Sequence, residues 1–403
     1  GDEAGTAITT GDTNVFVGHT AGDAITTGYD NVAIGTSALS TDILSNSSVA
    51  IGKGALQNQN PATAVTTHNV AVGTDAGNDI TTGTANTLIG GLAGDALTTG
   101  YDNVAVGYNA LGSDDVGGRS VALGREALRD QNIVTLANIY NVGVGYQAGA
   151  SVTTGIQNTL IGAQTGDAIT DADYNVAVGY QALTSDTLGS RTTAIGRFAG
   201  YNQNYTTATD TNNVYVGYYA GANVTTGLSN TLIGTEAGDA LTDADFNIAI
   251  GKDALGQDTR GSKSVAIGNA ALNAQNFTTA TDSFNTAVGH FAGLSNTTGT
   301  YNTFIGSEAG EANTTGANNT AVGALALEST TEGTNNTAVG QASLFENTLG
   351  SKSIAVGRGT LQNQNPTTAT DMFNTAVGHE AGNDITTGTL NTIIGGLAGD
   401  AMT

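Results

Sequence analysis

The residues able to move a proton or hold a metal in this chain are 4 histidines and 35 acids, and there is no cysteine. His19, His68, His290 and His379 are scattered, and three of them directly follow a glycine, a placement that points to solvated or stacked rings. Asp171-x-Asp173 and Asp243-x-Asp245 set hard oxygen donors side by side, as Ca2+ would require. Calcium needs about six to eight oxygens, however, and neither the EF-hand loop nor the calcium-binding nonapeptide is present. A glycosidase needs two carboxyls flanking one bond. Here acids recur instead, as in the Gly-Asp-Ala of Asp23, Asp95, Asp167, Asp239 and Asp400, a pattern of surface columns and not of a cleft. No enzyme and no resident cofactor is expected, with Ca2+ as the one metal worth testing.

What places these residues is a repeat. A block Asn-(Val/Thr)-Ala-(Val/Ile)-Gly-x-x-Ala-(Gly/Leu) runs from end to end, with 22 anchor glycines from Gly18 and Gly35 through Gly107, Gly179, Gly251 and Gly378 to Gly395. Most intervals have the short length of Gly18 to Gly35, and five have the longer length of Gly52 to Gly73. The long ones follow Gly52, Gly124, Gly196, Gly268 and Gly357. Three short rungs and one long rung therefore form a higher unit, lengthened once by a further short rung before Gly357. Nothing remains for a second domain, and residues 1–403 are expected to be one continuous solenoid. Gly1 and Met402-Thr403 both fall inside the repeat register, which predicts a segment of a longer protein.

Val or Ile stands one before each anchor, with Leu123 the exception, and Val, Thr or Ile three before it. Such alternation of β-branched residues reads as a short strand. The residue between is usually Ala, keeping the opposite face thin, and the flanking glycine allows the chain to bend. One such strand cannot bury its own apolar face, so rungs must stack. Asn occupies the position four before the anchor in 17 of 22 rungs, among them Asn31, Asn103, Asn175, Asn247 and Asn374, with Ser or Thr in the rest. The expectation is a ladder of amides bonded rung to rung. At a strand spacing of about 4.8 Å, the rungs would rise on the order of 100 Å.

Composition agrees. Disorder requires a chain that cannot bury apolar surface, whereas this one is 39% hydrophobic and 11% charged. A net charge of −24 opposes phosphate binding, so no nucleic-acid partner is expected. No run approaches the roughly 18 apolar residues of a membrane helix, so no membrane insertion is expected either.

The strands SVAIG at Ser48–Gly52 and Ser264–Gly268, NVAIG at Asn31–Gly35 and NTAVG at Asn374–Gly378 resemble the head repeat of trimeric autotransporter adhesins, and similar repeats occur in bacteriophage tail fibres. The resemblance implies a left-handed parallel β-roll, a homotrimeric rod with the Val/Ile column facing its interior, and an extracellular place on a virion or a bacterial surface. The adhesin repeat is shorter than the rungs of this chain, so the extra residues here should enlarge a turn or add a short outer strand. The function implied is a fibre shaft, of a virion tail fibre first and of a bacterial adhesin or filament second, holding or contributing to contact with a cell-surface glycan or protein receptor.

Five insertions would form bumps on such a rod, and loops on rigid scaffolds are where recognition concentrates. Gln57, Asn58, Gln131, Asn132, Gln203, Asn204, Tyr205, Gln275, Phe277, Gln362 and Asn363 are the candidate surface contacts, with Tyr140, Phe284 and Phe373 as further aromatics. Bracing between chains is the competing role. Arg119, Arg191, Lys263 and Lys352 share one column and Lys53, Arg125, Arg197 and Arg358 another, which predicts charge bands used for inter-rung or inter-chain pairing. Thr-Thr-Gly turns, as at Thr26, Thr81 and Thr98, raise an ice-binding alternative, but Asp171 and Asp243 interrupt that column.

Overall fold

The computed structural model describes residues 1–402, so the register expectation for Thr403 lies outside the described residues. Two units are distinguished, Gly1–Phe198 with Gln203–Asp210, and Ala199–Asn202 with Thr211–Thr403. Each contains eleven three-residue strands, from Val15–Val17 to Thr193–Ile195 in the first and from Val214–Val216 to Thr392–Ile394 in the second. Within each unit every such strand pairs in parallel with the next at the register of the repeat, as in Ala33↔Ala50 and Leu232↔Ala249. The chain is therefore an all-β parallel β-solenoid of about 22 turns, with no helix among the described residues.

The small middle residue of each strand, and not the β-branched pair, points into the chain. Ala33, Ala50, Ala105 and Leu160 are fully buried, while Ile89 and Ile161 remain about 40% exposed. The thin face is thus the core face. The Val/Ile column stays outside the solenoid, because the three-residue strand alternates out, in, out and the narrow rung admits little more than Ala at its inner point.

Where the inner point is larger, the sequence compensates. Leu88, Leu160, Leu232 and Phe304 fill the same inner position, and each lies against two glycines: Gly77 and Gly94, Gly149 and Gly166, Gly221 and Gly238, Gly293 and Gly310. In ten other rungs Ala at the inner point accompanies Leu four after the anchor, as Ala105 does with Leu111 and Ala177 with Leu183, all fully buried, whereas rungs such as Ala71 with Gly77 and Ala287 with Gly293 keep the glycine because the large inner residue of the following rung lies against it. The glycines at the end of the motif thus flank the large inner residues from their own rung and from the rung before, as expected of interiors packed to crystal-like density. Those leucines adopt left-handed backbone angles, φ 53° at Leu111 and 54° at Leu183, a conformation costing about 1–2 kcal/mol that only tight packing sustains.

The anchors themselves must be glycine for another reason. At Gly35, with φ +135°, an added Cβ would strike the carbonyl oxygen of Gly52 on the next rung, and the same clash repeats along the column.

Candidate interaction face and the insertions

The outward side of the strands is the first candidate site. Its two columns consist of Val, Ile, Thr and one Leu and include no charged residue, in a chain carrying 46. Ile34, Ile161, Ile195, Ile305, Ile354 and Val377 are among its exposed members. Parallel pairing keeps these side chains in straight rows.

Behind this face runs the asparagine ladder, in which the expected amide-to-amide bonds occur, as from Asn86 to Asn69 at 3.3 Å and from Asn391 to Asn374 at 3.1 Å, but bonds to the main chain predominate. Asn31 Oδ1 accepts the backbone N–H of Ser48 at 3.0 Å, and its Nδ2 donates to the Ser45 carbonyl at 2.8 Å. Asn103 likewise accepts from Ser120 N at 2.9 Å and donates to Gly117 O at 2.8 Å. Asn175 accepts from Thr192 N at 2.8 Å, and Asn247 from Ser264 N at 2.9 Å. Asn374 accepts from Asn391 N at 2.9 Å. Each amide satisfies main-chain groups that the bend leaves without a strand partner, which is the stronger demand inside a core.

In five rungs the ladder residue is Ser48, Ser120, Thr192, Ser264 or Ser353, and these are the rungs that precede the insertions. There a glutamine of the insertion enters the core and completes the ladder. Gln59 Nε2 donates to Ser48 Oγ and to Asp42 Oδ2, both at 2.8 Å, while its Oε1 accepts from Asn69 Nδ2 at 2.8 Å. Gln131 repeats the arrangement with Ser120 at 3.0 Å, Asp114 at 2.6 Å and Asn141 at 2.9 Å. Gln203 joins Thr192 and Asp186, Gln275 joins Ser264 and Asp258, and Gln364 joins Ser353 and Asn347.

The recruited acids, Asp42, Asp114, Asp186 and Asp258, are fully buried. Asp114 Oδ1 also accepts the N–H of Gly117 at 3.1 Å and of Ile133 at 3.3 Å. Burial pushes the carboxyls of Asp42, Asp114 and Asp186 above their ordinary value, against the hydrogen bonds that favour the ionised form. In the fifth node an amide, Asn347, replaces the acid.

This corrects part of the surface reading of the insertions. Gln131, Gln203, Gln275, Tyr205 and Phe277 are buried, because the ladder and core need them. Gln57, Asn58, Gln362 and Asn363 are half-buried, and Asn132 and Asn204 are exposed. Asn58 and Asn363 bond to Asp79 and Asp384 at 3.1 and 3.2 Å. The exposed tips lie further along, at 62–64, 134–136, 206–208, 278–280 and 367–369. Four of the five insertions add a two-residue outer strand, as Ala137–Asn138 beside Gly117–Gly118. The signal that sequence reasoning missed was the coincidence of the Ser/Thr ladder rungs with the insertions.

The column of Arg119, Arg191, Lys263 and Lys352 pairs within the chain, and Arg125 and Arg358 of the other column meet Glu126 and Glu380 at 2.9 and 3.1 Å. Lys263 reaches Asp282 at 2.5 Å and the Phe284 ring at 5.2 Å, and Lys352 reaches Asp371 at 2.6 Å and the Phe373 ring at 5.1 Å. Arg191 meets Asp210 at 2.8 Å, while Arg119 lies between the rings of Tyr101 and Tyr140 and donates to Tyr140 Oη at 2.8 Å. Thr26, Thr81 and Thr98 donate their hydroxyls to the carbonyls of Ile43, Thr98 and Asp115 on the following rung. They act as rung-to-rung braces, which limits the donors left for ordering water. Asp173 and Asp245 accept the N–H of Ile156 and Leu228 at 2.8 and 2.7 Å, and Asp243 faces Arg260 at 3.4 Å. Among the described residues no group of three or more His, Asp or Glu is placed to hold a metal.

Fold and site together define a β-solenoid repeat protein with an uncharged outer strand face. No known protein family and no curated protein matches the chain.

Proposed function

We propose that this chain is a structural fibre shaft, a non-enzymatic extracellular protein that associates with further copies of itself, three in the favoured arrangement, and carries a receptor-binding element away from a surface. The observation that carries the reading is the uncharged strand face. Copies of a chain at −24 repel one another over most of their surface. A β-branched face without charge is where they can meet, and exposed apolar arrays of this extent normally have a partner.

The repeat's resemblance to adhesin heads and tail fibres favours three parallel copies wound as a left-handed roll. A virion tail fibre is the first assignment and a bacterial surface adhesin or filament the second. Contact with a cell-surface glycan or protein would fall to the exposed insertion tips, where weak repeated sites act together. Val134 and Leu136, 84% and 60% exposed, make the second tip the most apolar of the five.

Solution mass of the native chain and of an Ile161→Asp/Ile195→Asp variant tests the reading. A native mass three times that of the chain, falling to one times in the variant with rung amides still protected, supports it. A native chain that remains monomeric up to about 100 μM, well above typical working affinities, refutes it.

A further inference from the structure

The residues directly after the anchor glycines form a column that, over part of the first unit, is a row of rings. Tyr108, Tyr146 and Tyr180 occupy every second rung, with Arg125 and Ala163 on the rungs between them. The main chain fixes this order. The N–H of Glu126 donates to the Tyr108 carbonyl at 2.9 Å, that of Gln147 to Arg125 at 3.0 Å, that of Gln164 to Tyr146 at 2.8 Å and that of Gln181 to Ala163 at 3.1 Å. All of these residues belong to the one unit. Neighbouring rings are therefore two strand spacings, about 10 Å, apart along one row.

The three tyrosines are about half exposed. Two of them are held by a cation on the following rung, with the Arg125 guanidinium carbon 5.8 Å from the centre of the Tyr108 ring and that of Arg197 5.9 Å from the centre of Tyr180. Rings steadied in this way have less freedom to lose on binding. Beside them runs a row of half-buried amides, Gln147, Gln164 and Gln181. Gln181 Nε2 donates to Gln164 Oε1 at 3.1 Å, and Gln147 Nε2 donates to Glu126 Oε2 at 2.7 Å. Each of these bonds occupies one position of a carboxamide that has four, so donors and acceptors remain for a ligand rich in hydroxyl groups.

A pyranose ring with equatorial substituents offers a face of C–H groups, whose partial positive charge suits the negative face of an aromatic ring. In an extended chain of such sugars joined 1→4 through equatorial bonds, every second sugar presents the same face. The step is one disaccharide, close to the spacing of the tyrosines. A polyproline helix has a comparable turn of about 9 Å, but it offers only hydrogen-bond acceptors, whereas the amide row offers both donors and acceptors.

We propose that Tyr108, Tyr146 and Tyr180 are the stacking platforms of a binding row for a linear β-1,4-linked glycan of the cellulose or chitin type, with Arg125 and the glutamine amides bonding its hydroxyls. The row is separate from the insertion tips and does not depend on the self-association proposed above. The same column in the second unit has Tyr218 and then no further tyrosine or phenylalanine, passing through Thr235, Asn269, Ser307 and Gln341.

Binding of cello- and chito-oligosaccharides of two to six sugars to the native chain tests this, followed by calorimetry. Affinity should rise in steps at three and at five sugars, where a second and then a third ring is reached, because each added contact acts within an already bound ligand. The pentasaccharide of at least one series should bind with a Kd of about 1 mM or tighter, and the series that binds more tightly identifies the sugar. Maltohexaose, which coils through its α-linkages, should bind at least tenfold more weakly. Tyr146→Ala should weaken the pentasaccharide at least tenfold, Tyr146→Phe should keep most of the affinity, and Tyr301→Ala in the second unit should leave it unchanged. Failure of both series to bind at about 10 mM overturns the proposal. So does an affinity indifferent to Tyr146, or a preference for decaproline over both pentasaccharides. The mass of the native chain in the same samples keeps the two readings apart: a monomer that binds in steps sustains the glycan row and refutes the assembled shaft.

Discussion

Two stretches of the second unit, one four-rung repeat apart, put the same backbone to different chemical use. Seven residues after the anchor the chain turns a side chain into the core. In the earlier stretch these are Val224 and Leu241, in the later one Asn296 and Asn313, and all four are fully buried. The amides partly satisfy one another, with Asn313 Nδ2 donating to Asn296 Oδ1 at 2.6 Å, but Asn313 Oδ1 is buried without a partner. The polar run continues through Thr330, Asn347 and Gln364. The lesson is that the fold does not depend on the identity of this inner column. It keeps the anchor glycine at every rung and a ladder amide supplied by the Asn column or, at the five Ser/Thr rungs, by an inserted glutamine, and it tolerates either chemistry at this inner column.

That comparison can be broken most forcefully by moving the polar column into the apolar stretch. Leu241→Asn should reduce local stability by about 3–5 kcal/mol, combining lost burial with an unmet amide. It would be read as accelerated amide exchange around Gly238. Gln131→Leu comes next. It leaves the Asp114 carboxyl and the Asn141 amide short of partners inside the core, for a loss of about 3 kcal/mol, seen as exchange at Gly117 and Ile133.

The reverse transplant sharpens the comparison. Asn296→Val with Asn313→Leu copies the earlier stretch into the later one. The carbonyls of Gly299 and Gly316 keep their ladder bonds from Asn285 and Asn302, so a gain of about 1–2 kcal/mol is expected in thermal unfolding.

A pH series separates the carboxyl nodes from the amide node. The folded-state values of Asp42, Asp114 and Asp186 are raised, so the folded chain binds these protons more tightly than the unfolded chain. Their contribution to stability is fully present below the ordinary carboxyl value and is lost as pH rises through the raised one. Protection of the Gly117 amide should therefore fall with rising pH across that interval, once intrinsic exchange is corrected for. Asp114→Asn should flatten the dependence to that of the Asn347 node. Asp95 and Asp239, pushed up to about 6 chiefly by burial, add a second component in the same direction. The smallest effect is expected from Lys352→Gln, at about 0–1 kcal/mol, because its ion pair with Asp371 is half exposed.

Much of this was legible beforehand. The repeat spacing alone placed the parallel strands, since so short a rung with one β-branched run has few other ways to stack. The ladder was legible as a column, though not its partners: nothing in an Asn periodicity distinguishes an amide that meets its neighbour from one that meets a bent main chain. Which side of the strand faces the solenoid core was not legible, because β-branched residues usually mark the core side, whereas here the rung is so narrow that Ala takes the inner point. The burial of Gln131, Gln203 and Gln275 was missed because an insertion reads as surface. It became visible only where the missing ladder residue and the inserted glutamine proved to be one site.

The regular pairing of each strand with the next also bears on how such a chain reaches its fold. Paired strands are a single rung apart in a chain of 403 residues, a relative contact separation of roughly 0.04–0.05, below even that of helical bundles. A protein built entirely of parallel strands would ordinarily form slowly, because distant segments must first meet. Here each loop to be closed is short, so ordering can start at any turn and spread in both directions, each new turn templated by the last.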